Sequence, residues 1–241
     1  MTLRLAQKNI EGKNKMRVLI VGGSSDIGIS LAKYLKDKDN EVIITYNKNK
    51  PNVTDIDIIH CDVTNEEEIE KIIKELGRID CLINMAAISR DNLLLVSSKL
   101  DFMDTLEVNL VGSYLTSKIY SKYNNGIIIN ISSTDGIDTY NEYNMFYSVS
   151  KAGLIHLSKC LSLSTNNKVY CICPNWINSK STREIDKDYL NNELKRIKQN
   201  RLIEINELSN SIYKIINMNE KSGTIFRIDI KGDKLWIEKI S

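Results

Sequence analysis

Metal-binding residues are sparse in this chain of 241 residues, which has two histidines and five cysteines. The cysteines are an odd number, and they form no C-x-x-C pair. Since zinc sites need such residues at short, regular spacings, we expect no metal site and no disulfide framework. Cys61, Cys81, Cys171 and Cys173 lie in apolar, strand-like runs. They are therefore predicted to be buried, reduced thiols.

Long apolar runs and concentrated charge are also missing. No run approaches the roughly 20 residues that a membrane-spanning helix requires. Residues 1–15 lack the continuous apolar stretch of a secretory signal. The formal net charge is only +2, and no basic face with interleaved aromatic residues is visible. These absences predict a cytoplasmic protein that binds neither membranes nor nucleic acid.

What the sequence does contain is an alternation of apolar, β-branched runs with helical periodicity, from Met16 nearly to the end. Continuous apolar strands separated by helices indicate a parallel sheet covered on both faces. Right-handed crossovers then favour an α/β, doubly wound sheet (a Rossmann fold) of about seven strands, with ligands at the carboxyl ends of the strands. The predicted strands are 17–21, 41–46, 57–61, 81–85, 126–131, 168–173 and 224–230. The predicted helices are 27–36, 66–76, 102–123, 147–163 and 207–216.

We expect a single domain over residues 16–241, because no internal repeat or low-complexity linker interrupts this pattern. Residues 1–15 carry no strong pattern and are predicted to be an extension: a disordered arm, a docking element, or sequence ahead of a natural start at Met16. The polar stretch 179–200 interrupts the alternation after a strand. Such an insertion is typical of a substrate lid.

The sequence GGSSDIG, residues 22–28, follows the first predicted strand and opens a helix. A dinucleotide pyrophosphate is bound by backbone N–H groups and by the positive end of a helix dipole, and glycines let it approach closely. The position between strand and helix makes this turn a predicted phosphate site. Asp26 is expected to be the helix N-cap, although its carboxylate would then lie near the pyrophosphate and weaken cofactor binding.

The second predicted strand ends at Asn47 and Lys48, with no acidic residue there. An Asp or Glu at this place typically holds the free ribose hydroxyls of NAD, whereas the 2′-phosphate of NADP prefers basic or polar donors. The strand end therefore favours NADP(H) over NAD(H). The alternative is that Lys48 is an ordinary solvated lysine.

A tyrosine followed four residues later by a lysine can act as an acid in carbonyl reduction. Tyrosine has an ordinary pKa of about 10 and needs a nearby cation, which this helical spacing places on the same face. The spacing by itself is not specific. It occurs at Tyr34/Lys38, Tyr46/Lys50, Tyr114/Lys118 and Tyr147/Lys151.

The last of these pairs lies in YSVSKAG, residues 147–153, which resembles the Y-x-x-S-K-A-G segment of the short-chain dehydrogenase/reductase family. The glycine turn is similar to the T-G-x-x-x-G-x-G signature of that family, although Val21 replaces the threonine and Asp26 the middle glycine. The likeness spans about residues 16–232. It implies an oxidoreductase that transfers a hydride between a nicotinamide dinucleotide and a carbonyl or alcohol.

The resemblance implies a catalytic tetrad of Asn109, Ser133, Tyr147 and Lys151. Tyr147 would donate the proton, and Lys151 would hold the nicotinamide ribose and lower the tyrosine pKa. Ser133 would orient the carbonyl, with Ser132 as the near alternative. Asn109 would hold a water molecule that links Lys151 to solvent.

The same resemblance implies a set of cofactor contacts. Asp62 and Val63 match the D-V segment at the adenine pocket, although Asp62 alternatively caps the helix that opens at Asn65. Pro174 stands in the family's P-G turn, and Ser179 replaces the threonine expected at the nicotinamide amide. The implied contacts are Gly22, Ser24, Ser25, Asp26, Ile27, Gly28, Asn47, Lys48, Asp62, Val63, Asn84, Ala86, Tyr147, Lys151, Pro174, Ile177 and Ser179.

Within the family, ISRDNLL at residues 88–94 is similar to a segment of 3-oxoacyl-[acyl-carrier-protein] reductases. The arginines that dock the carrier are missing, since Lys122 and Lys168 are the basic residues near the fifth and sixth strands. Three functions stay open. The protein reduces an acyl chain on a carrier protein, or reduces another carbonyl such as a sugar or polar metabolite, or binds NADP without catalysis. Retention of both Tyr147 and Lys151 disfavours the last.

Family members usually pair through their long helices, so we expect a homodimer or homotetramer. Apolar residues on those helices either form the paired face or point into the core of one chain. They are Leu110, Leu115, Ile119, Leu154, Leu157 and Leu161.

Overall fold

In the computed structural model, which describes residues 15–240, an eight-stranded sheet forms the centre of the protein. The strands are β1 Arg17–Val21, β2 Glu41–Tyr46, β3 Asp57–His60, β4 Cys81–Asn84, β5 Ile127–Ile131, β6 Lys168–Pro174, β7 Ile225–Lys231 and β8 Lys234–Ile240. Their order is β3-β2-β1-β4-β5-β6-β7-β8, and every neighbouring pair is parallel except β7 and β8. The predicted doubly wound α/β fold is confirmed.

The central strands are apolar on both sides because helices cover both faces of the sheet. In β1, Val18, Leu19 and Ile20 are each at most 1% exposed, although successive side chains point to opposite faces. The helices are α1 Asp26–Lys36, α2 Glu66–Leu76, α3 Lys99–Leu106, α4 Gly112–Tyr123, α5 Met145–Ser164, α6 Lys180–Arg183, α7 Lys187–Arg196 and α8 Ile205–Ile216. Helices α1 and α8 pack together on one face, and α2 and α4 on the other.

The helix predicted over residues 102–123 is longer and less regular than expected. It begins at Lys99, and a π-helical segment, Glu107–Val111, joins α3 to α4. Asn109 is at the centre of this segment and is fully buried. Such π-helical insertions are frequently found at functional sites.

Strand β8 is the element that the sequence interpretation missed. It pairs antiparallel with β7 through a two-residue turn, Gly232 and Asp233, and Gly232 has a positive φ of 61°. Its side chains alternate in exposure because this strand lies at the edge of the sheet. A Gly-Asp pair between two alternating runs was the available signal for this hairpin.

The predicted lid, residues 179–200, forms the short helix α6 and the helix α7. Among residues 15–240, no helix is both long enough and apolar enough to cross a membrane. The predicted extension, residues 1–15, lies outside the described residues except for Lys15.

Candidate active site

A cleft of about 1020 Å³ lies at the carboxyl ends of the strands. Chain segments that follow β1, β4, β5 and β6 form its floor, and α6 covers one side. The strand order reverses between β1 and β4, which is where ligands bind in doubly wound sheets. The cleft brings together the predicted residues Gly22, Ser24, Ser25, Ile27, Asn47, Lys48, Asp62, Val63, Ala86, Ser133, Tyr147, Lys151, Pro174, Ile177 and Ser179. The predicted residues Asp26, Gly28, Asn84 and Asn109 are not in its lining.

The glycine turn between β1 and α1 is packed so closely that side chains would not fit. Gly22 has a φ of +77°, and a Cβ atom there would lie 2.3 Å from the Cα of Ala86. A Cβ atom on Gly28 would lie 2.6 Å from the Cα of Gly23. These glycines therefore let the turn lie against the end of β4 and leave its backbone open to the cleft.

Asp26 is not the N-cap of α1, and that prediction is wrong. The cap is Ser25, whose hydroxyl accepts a hydrogen bond from the Gly28 N–H at 3.2 Å. Asp26 lies one residue later, where its carboxylate accepts a hydrogen bond from the Lys180 N–H and lies 3.6 Å from the Arg183 guanidinium. The carboxylate therefore joins the glycine turn to α6, and Arg183 offsets its charge.

The far end of the cleft is formed by the ends of β2 and β3. Lys48 is exposed there, and Asn47 acts to lower the pKa of the Asp62 carboxyl group. Asp62 also accepts a hydrogen bond from the Thr64 N–H at 2.9 Å, and this bond lowers the pKa of its carboxyl group. The alternative that Asp62 caps α2 is wrong, because Asn65 accepts the capping hydrogen bond from Glu68 N–H at 3.1 Å.

Asn84 lies behind the cleft. Its Nδ2 atom donates to the Asn130 Oδ1 atom at 2.9 Å and to the Ser117 hydroxyl at 3.0 Å. Its Oδ1 atom accepts from the Thr116 hydroxyl at 2.7 Å. The side chain is 2% exposed, so it ties β4 to β5 and α4 instead of lining the cleft as predicted.

Ser133, Tyr147 and Lys151 meet on the floor of the cleft. Tyr147 and Ser133 both line the cleft, and Ser133 acts to lower the pKa of the Tyr147 hydroxyl group. The Lys151 Nζ atom donates to the Ile131 carbonyl at 2.8 Å and lies 5.4 Å from the centre of the Tyr147 ring. Strand β5 leads to the serine, and one turn of α5 separates the tyrosine from the lysine. Ser132 is not the alternative, because its hydroxyl donates to the Lys151 carbonyl at 2.8 Å.

Comparisons with known proteins agree with this geometry. The family described as enoyl-(acyl carrier protein) reductase matches residues 22–224. Carbonyl reductase family member 4 of Xenopus laevis is 35% identical over 87% of this chain and 94% of its own length. The 3-oxoacyl-[acyl-carrier-protein] reductase of Bos taurus is 31% identical over 71% of this chain and 79% of its own. This chain belongs to the short-chain dehydrogenase/reductase family.

Solved structures show the same fold. A short-chain dehydrogenase from Bacillus anthracis has a TM-score of 0.77 and 24% identity, and the match covers 88% of this chain and 95% of that one. The aldohexose dehydrogenase of Thermoplasma acidophilum has a TM-score of 0.76 and 24% identity, with 88% of this chain and 92% of that one covered. The protein is an oxidoreductase of this family, which uses a nicotinamide cofactor, and the tightly packed glycine turn fits a dinucleotide.

In this short-chain dehydrogenase/reductase, burial shifts the pKa values of both Tyr147 and Lys151. Burial raises the pKa of Tyr147, the Asp135 carboxylate raises it further, and Ser133 opposes both. Burial lowers the pKa of Lys151 to about 8. The structure therefore contradicts the expected direction for the tyrosine, because desolvation outweighs the nearby lysine in the protein itself.

Asn109 has the role of a positioning residue in the structure. Its Oδ1 atom accepts from the Ile88 N–H at 2.8 Å, and its Nδ2 atom donates to the Ile88 carbonyl at 2.9 Å and to the Ser150 hydroxyl at 3.0 Å. The side chain thus connects the loop after β4 to α5, next to the catalytic pair. The predicted water relay stays a prediction.

The segment predicted to be a lid, residues 179–200, is held by its own cap and by the loop that precedes α5. Ser179 caps α6 by accepting from the Thr182 N–H at 3.3 Å, and its predicted contact with the nicotinamide amide stays a prediction. In α7, Arg196 donates to the Thr139 carbonyl at 2.7 Å, and Glu193 accepts from the Asn141 side chain at 3.0 Å. These bonds hold α7 against the loop that precedes α5.

Two acidic residues of the site were missed. Asp91 accepts from the Phe146 N–H at 2.6 Å and from the Tyr147 N–H at 3.3 Å. It supplies the cap that Asn144, the residue before α5, does not make. Asp135 lies on the wall of the cleft. The only available signals were their places in the motif at 88–94 and two residues after Ser133.

Proposed function

We propose that this protein transfers a hydride between NADP(H) and a carbonyl or alcohol, and that Tyr147 is its acid. The observation that carries the proposal is that Ser133, Tyr147 and Lys151 line the same cleft as the glycine turn, with the Lys151 Nζ atom 5.4 Å from the centre of the Tyr147 ring. Bound NADPH supplies the hydride. Tyr147 donates its proton to the oxygen on which negative charge develops, and Ser133 orients that oxygen. Lys151 holds the ribose.

A panel of carbonyl compounds, with NADPH consumption as the measurement, tests this proposal. We expect turnover with at least one ketone or aldehyde, and loss of that turnover when Tyr147 is changed. A protein that binds NADPH but consumes it with no carbonyl in a broad panel, and oxidises no matching alcohol with NADP, would be a binding protein and not an enzyme.

The substrate is either an acyl chain on a carrier protein or a more polar carbonyl. The names of the relatives favour the carrier-linked substrate. The surface favours the polar one, because Lys122, near the start of β5, is held by Glu70 at 2.7 Å. Lys168 hydrogen-bonds Asn219. Because both lysines already have partners within the protein, neither is free to bind an acidic carrier protein in place of the missing arginines.

Replacing Lys48 with glutamate should lower NADPH affinity about 10- to 100-fold, because a charge-assisted phosphate contact contributes roughly 1.5–3 kcal/mol. NADH affinity should change little. Fluorescence titration of both cofactors measures the effect. Lys50→Glu is the matched control, since Lys50 is exposed on the same loop but is not in the cleft lining. Equal affinities of the unchanged protein for NADH and NADPH would contradict the assignment.

We also propose that the protein is a homodimer or homotetramer. Most of the residues predicted for the paired face, such as Leu115, Ile119 and Leu161, are buried in the core of the chain itself. Pairing must therefore use exposed apolar side chains on the same helices, such as Val149 and Met103. Leu115, Ile119 and Leu161 therefore do not form this face.

Val149→Glu should convert the oligomer to a monomer at micromolar concentration, because a charge would be buried at the contact. Val149→Thr, of similar size and uncharged, should leave it assembled. Light scattering measures both masses. A monomeric unchanged protein at that concentration would rule out the assembly.

A further inference from the structure

Asp135 places a carboxylate on the substrate side of the cleft. It is the middle residue of a 3-10 turn, Thr134–Gly136, that directly follows Ser133. The turn is pressed against α5, because a Cβ atom on Gly136 would lie 2.6 Å from the backbone of Lys151. The close packing of this turn against α5 therefore fixes the position of Asp135 relative to Lys151.

The contacts of this carboxylate are all to neutral groups. The Thr139 hydroxyl donates to its Oδ1 atom at 2.7 Å, and Ser133 acts to lower the pKa of the Asp135 carboxyl group. The nearest cations are otherwise engaged, Arg196 with Glu193 at 2.8 Å and Lys151 with the backbone of β5. Within residues 15–240, no salt bridge includes Asp135.

A partly buried carboxylate that forms no salt bridge is costly unless further hydrogen-bond donors reach it. Asp135 lines the cleft two residues after Ser133, and its charge raises the pKa of Tyr147, so it lies close to the reacting atoms. An aliphatic acyl chain against this wall would bring no donor. A hydroxyl group on the substrate would bring a hydrogen-bond donor. Because a hydroxyl group is uncharged, it would add no second positive charge next to the Lys151 ammonium group.

We propose that Asp135 selects substrates with a hydroxyl group on the carbon next to the reacting carbonyl. This inference rests on the proposed function. The carbonyl oxygen lies at Ser133 and Tyr147 in that function. Asp135 lines the same cleft, and its backbone N–H donates to the Ser133 hydroxyl at 3.1 Å, so a substituent on the adjacent carbon faces the carboxylate. The preferred substrates are thus hydroxyaldehydes and hydroxyketones.

Hydroxyacetone and butanone form a matched pair, since a methyl group in the second replaces the hydroxyl of the first. We would measure kcat/KM for both with NADPH in the unchanged protein and in Asp135→Asn and Asp135→Leu. The intrinsic difference in carbonyl reactivity cancels when the ratio of the two values is compared between variants. Asp138→Asn is the control, because Asp138 is exposed, pairs with Arg227 at 2.6 Å and is not in the cleft lining.

We expect Asp135→Leu to lower the preference for hydroxyacetone about tenfold or more, because a site built to accept a hydrogen bond discriminates strongly. Asp135→Asn, nearly identical in size, should lower it less, since an amide oxygen still accepts. Asp138→Asn should leave it unchanged. An unchanged ratio in active Asp135 variants would overturn the inference, as would an enzyme that reduces simple ketones but not hydroxyacetone. Failure of every carbonyl to consume NADPH would instead overturn the proposed function itself.

Discussion

Tyr147→Phe should lower kcat about 100- to 10,000-fold and leave the affinity for NADPH within about twofold. The phenylalanine ring fills the same space, so the change removes the hydroxyl group next to Lys151 and little else. Because the proton is needed only as charge develops on the oxygen, the loss falls on turnover and not on binding. Steady-state kinetics and fluorescence titration of NADPH measure the two effects separately.

Tyr114→Phe is the matched control for this change. Tyr114 also precedes a lysine by four residues, but it is 42% exposed and Lys118 is paired with Glu66 at 2.6 Å. The Tyr114→Phe protein should keep full activity. A Tyr147→Phe protein that turned over at the unchanged rate would show that the acid is elsewhere.

Lys151→Met should abolish measurable turnover and also weaken NADPH binding, because this lysine is expected to contact both the ribose and the tyrosine. The contrast with Tyr147→Phe, which spares binding, separates the roles of the two residues. Lys118→Met removes a lysine with the same spacing from a tyrosine and should change neither quantity. Retention of normal NADPH affinity by Lys151→Met would exclude the ribose contact.

The same substitution should make the protein more stable at neutral pH. Burial lowers the pKa of Lys151 from 10.5 to about 8, so keeping it charged in the folded state costs roughly 3 kcal/mol. Loss of its hydrogen bond to Ile131 offsets about 1 kcal/mol of the gain. We expect a net increase of about 2 kcal/mol in the free energy of unfolding at pH 7.

The pH dependence has a definite sign. Below pH 8 the lysine is charged in both the folded and the unfolded protein, and the full cost is present. Between pH 8 and 10.5 the folded state releases the proton while the unfolded state keeps it, so the stability of the unchanged protein rises. Urea unfolding at pH 7 and pH 10 should therefore show the advantage of Lys151→Met shrinking with pH. An advantage that grows with pH would contradict this cause.

The positions of the strands were predictable because a strand that is buried on both faces is apolar at nearly every residue. A strand such as β5 must be apolar at nearly every residue, and the predicted bounds, 126–131, differ from Ile127–Ile131 by one residue. The Tyr147–Lys151 pair was predictable for a local reason, since one helical turn sets their spacing wherever α5 lies. The apolar pattern of the edge strand β8 is weaker because one side of this strand is exposed.

Residues with wrongly predicted surroundings are those with partners far away along the chain. Asp26 contacts α6, more than 150 residues later, and the neighbouring Ser25 forms the cap instead. Leu115 and Ile119 have the same apolar pattern whether they face the core or another copy of the chain. Asn84 is equally compatible with a ligand and with a buried network.

The sequence by itself determined the class of fold, the glycine turn and the spacing of Tyr147 and Lys151, because each depends on periodicity or spacing within one or two neighbouring elements. The tertiary structure alone decided which polar side chains reach the cleft. It brought Asp91 to the start of α5 and set Asp135 beside Ser133 and Tyr147. An aspartate in a loop has no periodic pattern, so its environment depends on long-range packing, and that packing determines its charge interactions and its role.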